Sequence, residues 1–162
     1  MLHNLTTMLQ RIQSLYLLAA GLVIGALYLF PLVHNVYVNG KPLTIMVTGI
    51  YQDVNGQSTH TETFMLLAIA TALVALLPLA LIFLYKNRKL QINLCYLLML
   101  IVIGYSYWVA QTVKGVIDGA LLNMSNYGIG ILLVSLSLLL IVIAQKSIQK
   151  DEKLVRSADR LR

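Results

Sequence analysis

Four long apolar stretches dominate the chain, and polar segments separate them. The stretches are 15–33, 64–85, 94–110 and 127–144, and none of them contains a charged residue or a histidine. A helix needs roughly 20 apolar residues, within a range of about 17–25, to cross the hydrocarbon core of a bilayer. Backbone polar groups in lipid must be satisfied within their own segment, which favours α-helices. The pattern therefore predicts an all-α membrane protein, a four-helix transmembrane bundle that forms a single domain over residues 1–162.

The polar segment 34–63 has the pattern of a small β-hairpin. The β-prone stretches 36–38 and 44–48 flank the dipeptide Asn39-Gly40, which is a strong signal for a tight hairpin turn. Pro42 shortens the start of the second strand because proline has no backbone N–H to donate. We expect this hairpin to cover one end of the bundle, and we expect the later polar segment 52–61 to be irregular.

The composition agrees with a membrane protein. Hydrophobic residues make up 59% of the chain and charged residues 11%, whereas about 25% of the residues in soluble proteins are charged. A soluble chain of this size has too little interior to bury so much apolar surface. The net charge of +6 comes mainly from basic residues at the ends of the apolar stretches. It therefore indicates a membrane orientation, and we predict no nucleic-acid partner.

The positions of the basic residues predict that orientation. Ten of the 12 fall beside the chain termini or in the inner loop 86–93, namely Arg11, Lys86, Arg88, Lys89, Lys146, Lys150, Lys153, Arg156, Arg160 and Arg162. Lys41 and Lys114 fall in the two outer loops, 34–63 and 111–126. Because loops rich in Lys and Arg stay in the cytoplasm, both termini and the tail 145–162 are predicted to be cytoplasmic (N-in/C-in).

Small residues predict how the helices pack in lipid. Gly21 and Gly25 form a small-xxx-small pair in the first stretch, and Ala68 and Ala72 lie on one face of the second. Two interpretations of the glycine pair stay open: it seats another helix of the same chain, or it drives homo-oligomerisation. Pro78, inside the second stretch, predicts a kink because it removes one backbone donor.

Residues that could carry chemistry are sparse. Ionisable residues within a membrane mark proton relays and ion sites, and the four apolar stretches contain none. Cys95 is the single cysteine, which excludes a thiol pair within the chain. The weak candidates for a metal site are His34, His60 and Asp53, whose spacing matches no familiar zinc motif. We therefore predict no catalytic residue, no cofactor and no enzyme activity.

The tail is the most patterned polar segment. Apolar residues recur there at helical spacing among charged ones, which predicts an amphipathic helix that continues the fourth span. The charged docking candidates are Lys150, Glu152, Lys153, Arg156, Asp159, Arg160 and Arg162. One interpretation is a basic flank that touches anionic lipid of the bilayer. The other is a docking helix for a cytoplasmic or membrane protein partner.

Three segments carry a resemblance to a known family. They are the opening 10–18 (QRIQSLYLL), the inner loop 86–92 (KNRKLQI) and the close 151–162 (DEKLVRSADRLR). Through these segments the chain resembles an uncharacterised bacterial family of four-span inner-membrane proteins, domain of unknown function 4293. The resemblance covers nearly the whole chain. It implies a location in the bacterial inner (plasma) membrane, and it carries over no activity.

Three functional hypotheses follow. The leading one is a non-catalytic membrane protein, a scaffold or accessory subunit with a cytoplasmic docking tail. The first alternative is an oligomeric channel or transporter for a neutral or apolar solute, which would use Gly21, Gly25 and Pro78. The second alternative is a metal-binding sensor or enzyme on the outer face, built on His34, His60 and Asp53.

Overall fold

The predicted helices are present in the computed structural model of the chain, which describes residues 2–38, 40–54, 57–85, 87–117 and 122–159. Side chains are described except at 2–11, 53–54, 57–58, 156 and 158–159. Within these ranges the chain forms four α-helices: α1 (Leu2–Gly25), α2 (Met65–Ile82), α3 (Arg88–Ile117) and α4 (Ile129–Asp159). Single 3-10 turns occupy Ala26–Tyr28 and Met124–Asn126.

Three of the helices are long and apolar enough to cross a membrane. They are α2, α3 and the part of α4 over Ile129–Val155, with mean hydropathies of 2.7, 1.8 and 2.3. The apolar part of the first helical segment, Ile12–Tyr28, is shorter. The first predicted span, 15–33, was too long, because α-helix ends at Gly25. Pro31 explains why the helix does not continue to residue 33, since proline lacks an N–H and disfavours helical geometry in the residue before it.

The helices pack around one apolar core. Helix α1 lies against both α2 and α4, and α3 lies mainly against α4. The helical core includes Leu17, Ala20, Ile24, Leu67, Val74, Cys95, Leu98, Val102, Ile141, Ala144 and Ile148. Gly21 allows the α1–α2 contact, because a Cβ there would come within 2.9 Å of the carbonyl oxygen of Ala75. A Cβ at Gly25 would meet no described atom within 4 Å.

Helix α2 contains the other residues for which the sequence predicted a packing role. Ala68 and Ala72 are partly buried, and Pro78 is buried within the helix. The carbonyl oxygen of Ala68 accepts a hydrogen bond of 2.5 Å from the Tyr28 hydroxyl, which ties the end of the first helical segment to α2. The helix continues through Pro78 to Ile82, and the kink stays a prediction.

The segment between α1 and α2 is a four-stranded antiparallel sheet. Its strands are β1 (Val33–Val38), β2 (Lys41–Met46), β3 (Gly49–Val54) and β4 (Gln57–Thr63), in the order β1-β2-β3-β4. The predicted hairpin is confirmed as β1–β2, with Val36 opposite Leu43. Gly40 follows β1 with φ of +76°, a conformation that glycine adopts without steric cost.

The prediction of an irregular segment over 52–61 was wrong, because it forms β3 and β4. Gln52 pairs with Thr59 in the hairpin β3–β4. Two signals in the sequence explain it: threonine alternates along 59–63, and the dipeptide Asn55-Gly56 repeats the turn signal of the first hairpin. Pro42 does not shorten the second strand as predicted, because β2 begins at Lys41. Pro42 lies opposite Tyr37 of β1, and the pairing of β2 with β3 begins only at Leu43, so proline stands at the start of the strand, where it is tolerated.

Backbone hydrogen bonds fix the sheet to one end of the bundle. The Leu32 N–H donates to the carbonyl of Ile45 at 2.9 Å, and the Gly128 N–H donates to the carbonyl of Leu32 at 2.9 Å. The side-chain amide of Asn126 donates to the carbonyl of Asn35 at 2.8 Å. A Cβ at Gly128 would collide with the carbonyl of Pro31. Only glycine therefore permits this contact between the start of α4 and the segment that leads into β1.

Candidate functional site at the charged end of the bundle

The end of the bundle opposite the sheet gathers the charged side chains. Helix α4 runs without interruption for 31 residues, from Ile129 to Asp159, and thus continues beyond the predicted fourth span. Its extension stays in contact with the bundle, because Ile148 is 0% exposed and Asp151 is 1% exposed. The first part of the tail is therefore a packed element of the fold.

An ion pair anchors this extension to α3. The Arg88 Nη2 lies 3.3 Å from the Asp151 Oδ2, and the two side chains are 17% and 1% exposed. Neither carboxylate oxygen of Asp151 has a hydrogen-bond partner among the described residues. A buried charge is costly unless it is paired. Arg88 is thus the described cation that compensates Asp151.

Three glutamines are also buried toward the charged end, each on a different helix. Gln13, Gln91 and Gln145 are each 4% exposed. The Gln13 Nε2 donates to the carbonyl of Ser147 at 3.3 Å, which links α1 to α4. The Gln91 Nε2 donates to the carbonyl of Leu81 at 2.9 Å, which links α3 to the end of α2. Together with the Arg88–Asp151 pair between α3 and α4, these contacts link all four helices at the charged end.

The outward side of the extension is a basic face, which we define as Lys146, Lys150, Lys153 and Leu154. All four side chains are exposed, and Leu154 is 50% exposed. The lysines recur at intervals of four and three residues, so they lie along one side of the helix. Lys89, beside the N-terminus of α3, is also exposed at this end. The arrangement presents positive charge and one apolar side chain on a rigid helix.

The predicted tail residues fall into three groups. Lys150 and Lys153 belong to the exposed basic face. Glu152 is partly buried and interacts with a partner. The side chains of Arg156 and Asp159, and the whole of Arg160 and Arg162, lie outside the described residues.

The metal-site candidates are not brought together. His34 lies on β1 and His60 on β4, the two edge strands of the sheet, which places them roughly 14 Å apart at the usual strand spacing. The His60 ring packs on Tyr51, with 4.7 Å between ring centroids, and the Asp53 side chain lies outside the described part. Among the described residues, no group of three or more His, Cys, Asp or Glu side chains is placed to hold a metal.

A second feature lies near the sheet, between α3 and α4. It is a crevice of about 460 Å³ with a mostly apolar lining. Val109, Val113 and Val134 form part of its wall, and Lys114 and Tyr127 stand on its rim. The sequence did not predict this crevice, because a crevice depends on how two helices that are separate in the sequence lie against each other.

The sequence analysis identified the charged residues of the tail but assigned no role to the buried polar residues that hold the tail in place. The sequence does contain a signal for these buried polar residues, namely their helical spacing relative to the buried apolar residues. Asp151 continues the buried stripe of Ala144 and Ile148 at helical spacing, and Gln91 precedes Cys95 and Leu98 in the same way. A polar residue in phase with a core stripe predicts a buried position that needs a partner.

Comparison with known proteins gives one match. A family model described as "Domain of unknown function (DUF4293)" matches residues 9–161, which include nearly all of the described bundle and the whole sheet. No curated protein and no solved structure matches the chain.

Proposed function

The chain belongs to the DUF4293 family, and we propose that it is a four-span protein of the bacterial inner membrane with both termini in the cytoplasm. The apolar part of the first helical segment, Ile12–Tyr28, supports a fourth span, since about 17 residues is the lower limit for crossing. The basic residues at the charged end support the orientation. The sheet then faces the opposite side of the membrane.

We further propose that the protein is a non-catalytic scaffold or accessory subunit that docks a cytoplasmic protein through its basic face. One observation carries this proposal. The inward side of the α4 extension is fixed by Ile148 and by the Arg88–Asp151 pair, while Lys150, Lys153 and Leu154 stay exposed. A preorganised helix loses little conformational entropy on binding, which favours recognition.

The length of the extension favours a protein partner over lipid headgroups. At a rise of 1.5 Å per residue, Lys153 lies roughly 13 Å beyond Ala144, the last residue of the predicted span. The headgroup layer on one side of a bilayer is only about 5–8 Å thick. On this boundary Lys146 lies nearest the lipid phosphates, and Lys153 and Leu154 lie farther from the bilayer. The partner that fits is a protein with an acidic surface and a small apolar contact for Leu154.

Site-specific photo-crosslinking in cells tests the docking proposal. A photoreactive residue at Leu154 is expected to give a discrete protein adduct, and the double change Lys150→Glu/Lys153→Glu is expected to reduce its yield about tenfold. A photoreactive residue at Leu90, which is exposed at the same end, controls for random collision. The change Lys41→Glu/Lys114→Glu applies the same charge reversal at the other end and is expected to leave the adduct unchanged.

Lipid adducts alone at Leu154, or a protein adduct that is indifferent to the lysine reversals, would contradict docking by the basic face. Substitution is a cleaner test than removal of the tail. A truncation after Gln145 would also delete Ile148 and Asp151, whose burial helps to hold the bundle together.

The oligomeric channel or transporter and the outer-face metal sensor or enzyme stay predictions. Neither has a specific feature among the described residues that favours it. His34 and His60 lie on opposite edges of the sheet, so a metal site there would need a different arrangement of strands.

A further inference from the structure

The crevice between α3 and α4 has the dimensions of a site for one lipid chain. Its volume of about 460 Å³ lies within the roughly 300–1,000 Å³ of small-molecule sites. Along α3 it extends from Ser106 to Ile117, which is roughly 16 Å at 1.5 Å per residue. This length is about half of a hydrocarbon core roughly 30 Å thick, the depth that an acyl chain of one leaflet occupies.

The crevice resembles a phospholipid in that its wall is mostly apolar and one end is charged. Val109, Val113 and Val134 line the wall with apolar surface. Lys114 stands at the end nearer the sheet, and its side chain is exposed and forms no ion pair with any described residue. Tyr127 lines the same end and is 47% exposed, in keeping with the preference of tyrosine for the membrane–water interface. The crevice therefore combines an apolar channel with one cation at its interfacial end.

We propose that this crevice binds one acyl chain of an anionic phospholipid, with the lipid phosphate at Lys114. The ammonium supplies the charge complementarity, because a lysine near the membrane surface attracts anionic headgroups. The valines contact the chain and replace its contacts with neighbouring lipids. The site lies at the opposite end of the molecule from the basic face, and it requires only that α3 and α4 are embedded in a bilayer.

Native mass spectrometry of the purified full chain tests this proposal. The protein is equilibrated in mild detergent with phosphatidylglycerol or with phosphatidylethanolamine of identical acyl chains. We expect phosphatidylglycerol to bind with higher occupancy, and we expect Lys114→Gln to lower its affinity about fivefold and to abolish the preference. Lys41→Gln removes a charge from the sheet outside the crevice, and it is expected to leave lipid binding unchanged.

A second pair of variants tests the apolar part of the site. Ala110 lines the crevice and is exposed, so Ala110→Trp is expected to fill the space and lower the occupancy of both lipids. Ala80 is exposed on α2 and does not line the crevice, and Ala80→Trp serves as the matched control. Helical content and gel-filtration behaviour verify the fold of each variant.

Equal binding of both lipids, with no response to Lys114→Gln or to Ala110→Trp, would overturn the proposal. A dimer that dissociates with Ala110→Trp would overturn it as well, because the crevice would then be an interface between two copies. Even if Ala110→Trp fails to fold, the affinity of Lys114→Gln for phosphatidylglycerol still tests the proposal. Neither result bears on docking at the basic face.

Discussion

At the scale of single residues, the Arg88–Asp151 pair is the most consequential contact of the charged end. The Asp151 side chain is 1% exposed and the Arg88 side chain 17% exposed, so water screens the pair far less than a surface salt bridge. Such a pair adds little net stability compared with apolar residues, but breaking one side leaves an uncompensated buried charge. The pair therefore specifies where α4 lies relative to α3.

The ion pair leads to a stability prediction. Arg88→Met leaves Asp151 without its described cation, and we expect the free energy of unfolding to fall by about 2–4 kcal/mol. The double change Arg88→Met/Asp151→Leu removes both charges, and we expect most of the lost stability to return. Unfolding by sodium dodecyl sulfate in mixed micelles, followed by circular dichroism, measures both effects.

Lys89→Met is the matched control for this prediction. It removes a neighbouring cation whose side chain is exposed, so its effect on unfolding is expected to stay below about 0.5 kcal/mol. If Arg88→Met and Lys89→Met lowered the free energy of unfolding by equally small amounts, the buried pair would have no structural role.

The sequence predicts the identity of these charges but not their pairing. Arg88 was assigned to membrane orientation, and Asp151 received no role. The residues are 63 positions apart in the sequence, and their contact depends on the relative placement of α3 and α4. Helical spacing places Asp151 in the buried stripe of Ile148, but no pattern within the sequence states which cation reaches it.

At the scale of elements, glycines decide where backbones come together. A Cβ at Gly21 would come within 2.9 Å of the carbonyl of Ala75 on α2, whereas one at Gly25 would meet no described atom within 4 Å. The two glycines of the predicted pair thus differ in their surroundings. This contrast provides a matched test of how α1 packs.

We expect Gly21→Ala to lower the free energy of unfolding by about 1–3 kcal/mol, because α1 and α2 must separate to admit the methyl group. Gly25→Ala is expected to be neutral or slightly stabilising, since alanine favours helix over glycine. Thermal unfolding in detergent compares the two variants. A similar loss of stability in both would contradict the assigned α1–α2 contact.

A second element contact joins the sheet to α4. Gly128→Ala would push a methyl group into the carbonyl of Pro31, and we expect it to weaken the hydrogen bond between Gly128 and Leu32. Hydrogen exchange in β1 and β2 should then become at least about fivefold faster. Gly115→Ala, at a position with no described atom within 4 Å of the added methyl, is expected to leave exchange in the sheet unchanged. Slow exchange in both variants would show that the contact does not hold the sheet.

Elements differ in how far the sequence predicts them. Long apolar runs predicted the helices because length and hydropathy are local properties, and the Asn39-Gly40 turn predicted β1–β2. The predicted first span extended too far because Leu32 and Val33 are as apolar as any span residue. In the structure these two residues join the sheet and the core near it. The strand β4 was not predicted because its described side chains, Thr59–Thr63, are polar and exposed, and a strand without buried apolar positions shows little hydrophobic alternation.

At the scale of the whole molecule, the chain has two chemically different ends separated by an apolar bundle. One end carries the sheet, the rim lysine of the crevice and the aromatic Tyr127. The other carries the buried Arg88–Asp151 pair beneath an exposed basic face. The docking proposal depends on the orientation of these two ends, because it needs the basic face in the cytoplasm, whereas the lipid site needs only a bilayer around α3 and α4.

Cysteine labelling from one side of the membrane tests that polarity most directly. The parent chain is its own control, since its single cysteine, Cys95, is buried. Thr59 in β4 and Lys153 on the basic face are both exposed. With a maleimide that cannot cross the inner membrane, we expect Thr59→Cys to react in spheroplasts and Lys153→Cys to react only after lysis. Labelling of both positions from the same side, or reaction of Lys153→Cys alone in spheroplasts, would contradict the proposed topology.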